Sequence, residues 1–511
     1  MTPSTSRHER FLRPSLTLGF LLGITLSVKL FIQGVAFPDL LVVATLIGGY
    51  MALVTGANDT ANNLGPAVGS KAISLPTAII IAIVFELAGA LVAGGEVMNT
   101  IKGQIIAPEM IPDHLDFVWV MLSALLAAAI WVHLSTALGI PVSTTHSIIG
   151  GILGAGITAG GIGITNWPKL VTIGSSWIVS PILGGVIAAA FLYLIKRTLT
   201  YKVDMLRAAK RTVPILMAAM GWAFSAYLLL KGLKQTLQVD FQTALLSSFV
   251  IAVGLYLIVY PAISQRADRL PQSKMGINSL FNLPLVFAAA MLSFAHGAND
   301  LANTIGPVAA IHEVLLGAAI NEVSRVPFWI VMTGAVGIVI GIALYGKKMI
   351  RVVGYGITEL DQMRAYCIAM AVSITIILAS EFSIPVSTTH TVVGAVFGVG
   401  FLREFLKSHY AETREKITHH LEGQKLSMIN QYLDQFHQAG VWRKRAMLRE
   451  LEVQSDIPEL TKNELKQLRK LYHQEFIKKS TFLKILFMWL MTLPATAGLA
   501  ALSFLLSRTL P

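Results

Sequence analysis

Gly56–Pro66 reads GANDTANNLGP and Gly297–Pro307 reads GANDLANTIGP, identical at eight of eleven positions. A second string, IPVSTTH, occurs unchanged at Ile140–His146 and Ile384–His390. The copies of the first string start 241 residues apart and those of the second 244. The two strings therefore travel together, and the chain is two copies of one unit. Each copy sets Asn, Asp, Ser, Thr and His within apolar sequence, where a polar group is costly unless something pairs with it.

The surrounding composition identifies the solvent. The 511 residues are 54% hydrophobic and 13% charged, with a mean hydropathy of +0.66. Soluble domains carry about 25% charged residues, and apolar runs here recur at the length of roughly 20 residues that crosses a bilayer core. The lipid bilayer is thus the first partner. The net charge of +12 does not indicate nucleic acid, because the cations gather in loops between apolar runs, as cytoplasmic flanks do. One cysteine, Cys367, excludes internal disulfides and a cysteine-based metal site. The first apolar run, Ser15–Gly34, lacks a small-residue cleavage site and reads as a retained helix.

Loop charge sets direction. Arg7, Arg10 and Arg13 place the N-terminus in the cytoplasm, and Ser15–Gly34 crosses outward. Asp39–Asn58 then returns with the first GAND string, Pro76–Met98 goes out, and Phe117–Gly139 comes back to the first PVSTTH. Ser147–Gly163, rich in glycine, runs outward as an irregular or re-entrant helix, and Pro168–Ile195 returns to the basic loop from Lys196 to Arg211. Two linking helices, Val213–Leu230 and Phe241–Tyr260, lead to Arg266, Arg269 and Lys274. The helix from Phe281 therefore carries the second GAND outward, opposite to the first. The next crossing reaches Lys347, Lys348 and Arg351; Arg364–Ser380 goes out to the second PVSTTH, and Thr391–Leu402 returns.

The expected architecture is all-α and polytopic, with about 12 transmembrane helices in two inverted repeats containing broken or re-entrant segments. Residues 1–38 form an extra helix, 39–212 the first repeat, 213–280 the linking helices and 281–402 the second repeat. Residues 403–480, dominated by Lys, Arg, Glu, Gln and His, read as a small helical cytoplasmic domain, and 481–511 as a C-terminal transmembrane helix. Inverted repeats place a transport site near the midplane, where the halves meet.

The strings suit two complementary ligands. Gly and Pro within GANDxANxxGP are expected to break the helix, which survives in a bilayer only when buried or beside a wet cavity. Asn58, Asp59, Asn62 and Asn63, with Asn299, Asp300, Asn303 and Thr304, offer the oxygen ligands that hard cations take. Sodium is a candidate at Asp59 and Asp300. In PVSTTH the proline restricts the residue before it, so the chain breaks there. Ser143, Thr144 and Thr145, with Ser387, Thr388 and Thr389, can cap a new helix and present hydroxyls and free amides to an oxyanion. One such string alone is more often a packing or kink element; both strings in both halves argue for function. Glu86, a carboxylate in mid-helix, is a functional candidate by position, with a structural hydrogen bond as the plainer alternative. His146 and His390 read as hydrogen-bonding residues that fix the breaks, not metal ligands. His296, whose counterpart is Thr55, reads as structural, and His133 and Glu381 are weaker candidates.

At these strings, and at Phe85–Gly103 (FELAGALVAGGEVMNTIKG), the sequence resembles the inorganic phosphate transporter family, the phosphate permeases. The resemblance covers almost the whole membrane portion. It implies secondary uptake of inorganic phosphate by alternating access, coupled to a monovalent cation, Na+ or H+, or carrying a metal–phosphate complex. It also implies Asp59 and Asp300 as cation-site aspartates, Glu86 as the carboxylate of the first-half helix, and the two Ser-Thr-Thr runs as the oxyanion site. Many relatives place a carboxylate in the helix before the second PVSTTH, but Ala365–Ser380 has none and Glu381 stands at its end. The expectation is a phosphate symporter of the inner cell membrane, with no cofactor, no enzymatic activity and room for a homodimer. A sulfate or other oxyanion permease of the same fold is the alternative. An intramembrane hydrolase is disfavoured: no GxSxG or HExxH string is present, and each PVSTTH histidine lies over 80 residues from its aspartate.

Overall fold

A computed structural model describes residues 7–31, 35, 37–111, 113–232, 239–317, 326–356, 360–418 and 479–509. Among these residues it is helical apart from connecting turns and one isolated bridge between Ile106 and Thr165. The helices are α1 (Arg7–Phe31), α2 (Pro38–Gly69), α3 (Leu75–Ala93), α4 (Gly95–Gly103), α5 (His114–Leu138), α6 (Thr144–Gly160), α7 (Trp167–Ile195) and α8 (Met205–Tyr227). There follow α9 (Phe241–Asp268), α10 (Lys274–Leu280), α11 (Asn282–Leu315), α12 (Phe328–Gly356), α13 (Gln362–Glu381), α14 (Thr388–Thr418) and α15 (Lys479–Ser507). Most of the segment expected to form a cytoplasmic domain lies outside the described residues. α14 runs on to Thr418, past the boundary drawn at 402.

Ten of these helices are long and apolar enough to cross a membrane. The expected count is higher because it also includes α1, whose apolar part is only Pro14–Leu30, the 17-residue α6, and α14, in which charged residues follow Leu402. The apolar faces sort as a bilayer demands. α2, α11 and α13 are buried over most of their length, whereas α9 turns Leu246, Val250, Leu257 and Ile258 outward.

The repeat is visible as reciprocal packing. α2 lies against α12, where a Cβ on Gly56 would fall 2.1 Å from the Ile338 carbonyl oxygen. α11 lies against α3, where a Cβ on Gly297 would fall 2.2 Å from the Glu86 carbonyl oxygen. Each GAND helix is thus clasped by the following helix of the other half, at a backbone approach only glycine permits. α2 and α11 also cross each other antiparallel: Gly48 meets Thr304 and Val308, while Asp59 meets His296. Antiparallel pairing of equivalent helices supports the inverted-repeat expectation.

α14 packs on α7 through Gly394 against the Pro181 carbonyl, and α6 packs on α15 through Gly154 against the Ala497 carbonyl. The C-terminal helix therefore stands to the first half as α7 stands to the second.

One expectation fails. No break occurs at GAND: α2 and α11 run as continuous helices through the string, with Pro66 and Pro307 inside them. Proline removes one backbone bond and crowds the preceding turn, which these buried helices absorb without ending. The expected break does occur at PVSTTH, between α5 and α6 and between α13 and α14.

Candidate functional site

The two continuous GAND helices and the two broken PVSTTH segments meet in one buried cluster. Asn58, Asp59, Asn62, Asn299, Asp300, Asn303 and all six Ser and Thr residues of the PVSTTH strings are no more than 2% exposed. At each break the serine is the N-cap. Ser143 Oγ accepts the His146 amide at 3.1 Å and Ser387 Oγ accepts the His390 amide at 3.2 Å. Each cap satisfies one of the amides that a helix start leaves without partners.

The threonines join the halves. Thr144 donates to Asp59 Oδ2 at 3.1 Å, and Thr388 donates to Asp300 Oδ2 at 2.8 Å. The next hydroxyls cross over: Thr145 donates to the Val386 carbonyl and Thr389 to the Val142 carbonyl. Asn62 donates to Asp59 Oδ1 and to Thr389 Oγ1, and Asn303 donates to Asp300 Oδ1 and to Thr145 Oγ1. Asn58 pins the first break, donating to Thr136 Oγ1 and accepting the Val142 amide; Asn299 pins the second by donating to the Val386 carbonyl. The residues expected to bind cation or oxyanion converge here except Thr304, whose hydroxyl bonds the Leu301 carbonyl of its own helix and faces Gly334 of α12. What the sequence did not indicate is that the threonine hydroxyl protons already serve protein acceptors, Asp59 and Asp300 among them.

Glu86 joins the cluster from α3. Its Oε1 accepts Asn63 Nδ2 at 2.6 Å, and its Oε2 lies 2.9 Å from His296 Nδ1. His296 is fully buried, with Nε2 2.8 Å from Asp300 Oδ2 and 3.8 Å from Asp59 Oδ2. The 2.8 Å approach is out of line for a hydrogen bond, so that nitrogen has no hydrogen-bond partner. The residue expected to be structural therefore sits among three carboxylates. The available signal was its place, four residues before Asp300 on the same helix face.

Asp59, His296 and Asp300 each offer one ligand atom, and the three atoms lie within 4.8 Å of one another. Around them the side-chain oxygens of Asn62, Asn63, Asn299 and Asn303 are buried without hydrogen-bond partners. Buried acceptors without donors are costly and suit a small hard cation. His146 and His390 hold the breaks by ring contact: His146 packs on Trp177 with centroids 3.8 Å apart, His390 stacks on Trp489 at 3.6 Å, and the two imidazoles meet at 4.4 Å. Their Nε2 atoms have no hydrogen-bond partner. His133 and Glu381 lie outside the cluster; His133 is exposed and bonds Tyr50, and Glu381 is exposed at the end of α13.

A sequence model described as the phosphate transporter family matches residues 55–500. A Helicobacter pylori (strain J99) protein, provisionally named a phosphate permease, is 47% identical over 506 residues, covering 96% of this chain and 94% of its own. A Pyrococcus furiosus protein with the same provisional name is 39% identical over 368 residues, covering 71% of this chain and 88% of its own. Among solved structures, one described as the sodium-dependent phosphate transporter is similar with a TM-score of 0.75 at 27% identity, over 93% of this chain and 100% of that one.

Proposed function

The chain belongs to the phosphate transporter family, whose members are permeases and not enzymes, and on that premise we propose that it imports inorganic phosphate by cation symport with alternating access. The observation that carries this reading is the matched pair of bonds from Thr144 to Asp59 and from Thr388 to Asp300. Each links a helix N-terminus suited to an oxyanion with a carboxylate suited to a cation.

The coupling follows from the hydroxyl inventory. A threonine hydroxyl has one proton to give and lone pairs to accept with. While the proton goes to the aspartate it is not available to phosphate. A cation on the carboxylate displaces that bond, and the threonine oxygen can then face the cation while its proton turns to phosphate. Ser143 and Ser387 accept cap bonds and keep their protons, so with the first-turn amides of α6 and α14 they complete the proposed oxyanion site. Asn62, Asn299 and Asn303 supply the unpartnered oxygens beside the aspartates. Three carboxylates around one imidazole also leave the cluster short of positive charge, which favours cation entry before the anion.

The neighbour described as sodium-dependent supports Na+ as the coupling ion over H+, and the family supports phosphate over sulfate. The inner cell membrane is the proposed location. The whole cluster comes from one chain, so a single copy completes it among the described residues. The test is uptake of labelled phosphate by the purified chain in proteoliposomes under an imposed sodium or proton gradient, with excess sulfate as competitor. Concentrative, sulfate-insensitive uptake driven by one gradient is expected. Uptake that only equilibrates, whatever gradient is imposed, refutes symport.

A further inference from the structure

The two halves match in the bonds from Asn62 and Thr144 to Asp59 and from Asn303 and Thr388 to Asp300, and they differ in the asparagine before each aspartate and in the residues packed behind them. The reciprocal glycine contacts pair Glu86 with Ile338, because Gly297 meets the first and Gly56 the second. His296, one residue before Gly297, is paired with Thr55, one residue before Gly56. The interacting pair His296–Glu86 is thus replaced in the other half by Thr55 and Ile338, and Thr55 Oγ1 is buried without a hydrogen-bond partner.

Together with the Asn299 bond to Asp300, this gives the two aspartates different surroundings. An ionised carboxylate has about four lone-pair positions. Asp300 accepts three side-chain bonds, from Asn299 at 2.7 Å and Asn303 at 3.2 Å on Oδ1 and from Thr388 at 2.8 Å on Oδ2, and the His296 ring stands against Oδ2 at 2.8 Å, in contact though out of line for a hydrogen bond. Asp59 has Asn62 at 3.2 Å and Thr144 at 3.1 Å, with the Thr389 hydroxyl at 3.3 Å sharing its one proton between Asp59 and the Val142 carbonyl, while the imidazole stays 3.8 Å away. His296 is held over Asp300 by the 2.9 Å contact of its other nitrogen with Glu86, and neither residue is more than 2% exposed.

We propose that His296, seated by Glu86, is a positioning residue that makes the two aspartates unequal, occupying Asp300 and leaving Asp59 to receive the mobile cation. This rests on the cation-symport reading above. It explains why a repeat so closely matched carries a histidine and a mid-membrane glutamate in one half only. It also assigns Glu86 a task other than direct cation binding: fixing the ring that selects between the sites.

The experiment gives the second half the first half's residues. His296→Thr with Glu86→Ile removes one ring and one carboxylate together, and His296→Gln keeps a hydrogen-bonding side chain in place of the ring. For the full chain in proteoliposomes, phosphate uptake is measured against sodium concentration, and against pH if protons drive wild-type uptake. In the double variant Asp300 becomes open to a mobile cation. The expected result is a steeper cation dependence and a half-saturating cation concentration shifted by about tenfold, with the phosphate KM at saturating cation moved by less than about threefold. His296→Gln is expected to shift the same constant less, and it carries the test if the double variant does not fold. A fall in maximal rate with slope and half-saturation unchanged in the folded variants would make the pair merely structural and overturn the proposal. Wild-type uptake indifferent to every imposed cation gradient would instead overturn the symport reading.

Discussion

Lys102 is fully buried, with its Nζ 2.9 Å from Glu313 Oε1, and Glu313 is itself only slightly exposed. The pair joins α4 of the first half to the C-terminal end of α11 in the second. At an effective dielectric of 20 the attraction across that distance is about 6 kcal/mol. Desolvating each ion costs several kcal/mol, so the pair as a whole contributes little net stability. Removing one partner is different, because the other stays buried. Lys102→Met is therefore expected to cost about 3–5 kcal/mol and Glu313→Met a similar amount, while the double variant returns to within about 2 kcal/mol of wild type. The assay is reversible unfolding in mixed detergent micelles, followed by tryptophan fluorescence and read as a double-mutant cycle. A coupling energy of at least about 2 kcal/mol is expected. Single variants costing under about 1 kcal/mol, or a double variant equal to their sum, would refute the argument that burial, not attraction, sets the effect.

Three further outcomes rest on the same packing and bonds. Asp59→Asn, which keeps the shape and removes the charge, is expected to abolish concentrative phosphate uptake while the protein still elutes as a folded species; wild-type accumulation in proteoliposomes would contradict it. Thr388→Val removes the hydroxyl bonded to Asp300, and at about 1.5–3 kcal/mol for a bond to a charged group should raise the phosphate KM by roughly tenfold or more in uptake assays. Gly297→Ala drives a methyl group into the Glu86 carbonyl and should destabilise by about 1–3 kcal/mol, whereas Gly95→Ala, with nothing within 4 Å of the added carbon, should stay within about 0.5 kcal/mol in the same unfolding assay.

How much of this was legible depended on whether the signal was local. The meeting of GAND and PVSTTH could be read because both strings are duplicated and loop charge sets their directions. The break at Pro141 and Pro385 could be read because proline restricts its predecessor. Pro66 and Pro307 misled because a buried helix can lose one backbone bond and continue. His296 was missed because its meaning lies in α3, which brings Glu86 to it from 210 positions away in the chain. The place of α15 was hidden by the long polar segment before it. Its trace in the sequence was faint: Trp489 and Pro494 echo Trp177 and Pro181, the tryptophans packing against His390 and His146.

The geometry also constrains how tightly two ligands can be coupled under the symport reading. If Thr144 and Thr388 exchange an aspartate for phosphate when a cation arrives, each ligand strengthens the other by the same factor, because binding free energies are linked in both directions. A redirected hydroxyl bond to a charged group contributes about 1.5–3 kcal/mol, which is roughly 10- to 150-fold in affinity. That is enough to make movement of either ligand alone rare without making release of both slow. An arrangement with free hydroxyls would bind phosphate with or without a cation and would leak. The bonds from Thr144 to Asp59 and from Thr388 to Asp300, which at first look like obstacles to substrate binding, are on this argument what prevents the leak. A variant that frees a threonine from the aspartate left open to the cation, such as Asp59→Ala, should accordingly still bind phosphate, and its phosphate affinity should lose most of its dependence on the cation. Equilibrium binding of labelled phosphate to the purified protein, with and without sodium, measures that dependence, and an undiminished sodium effect in the variant would rule the exchange out.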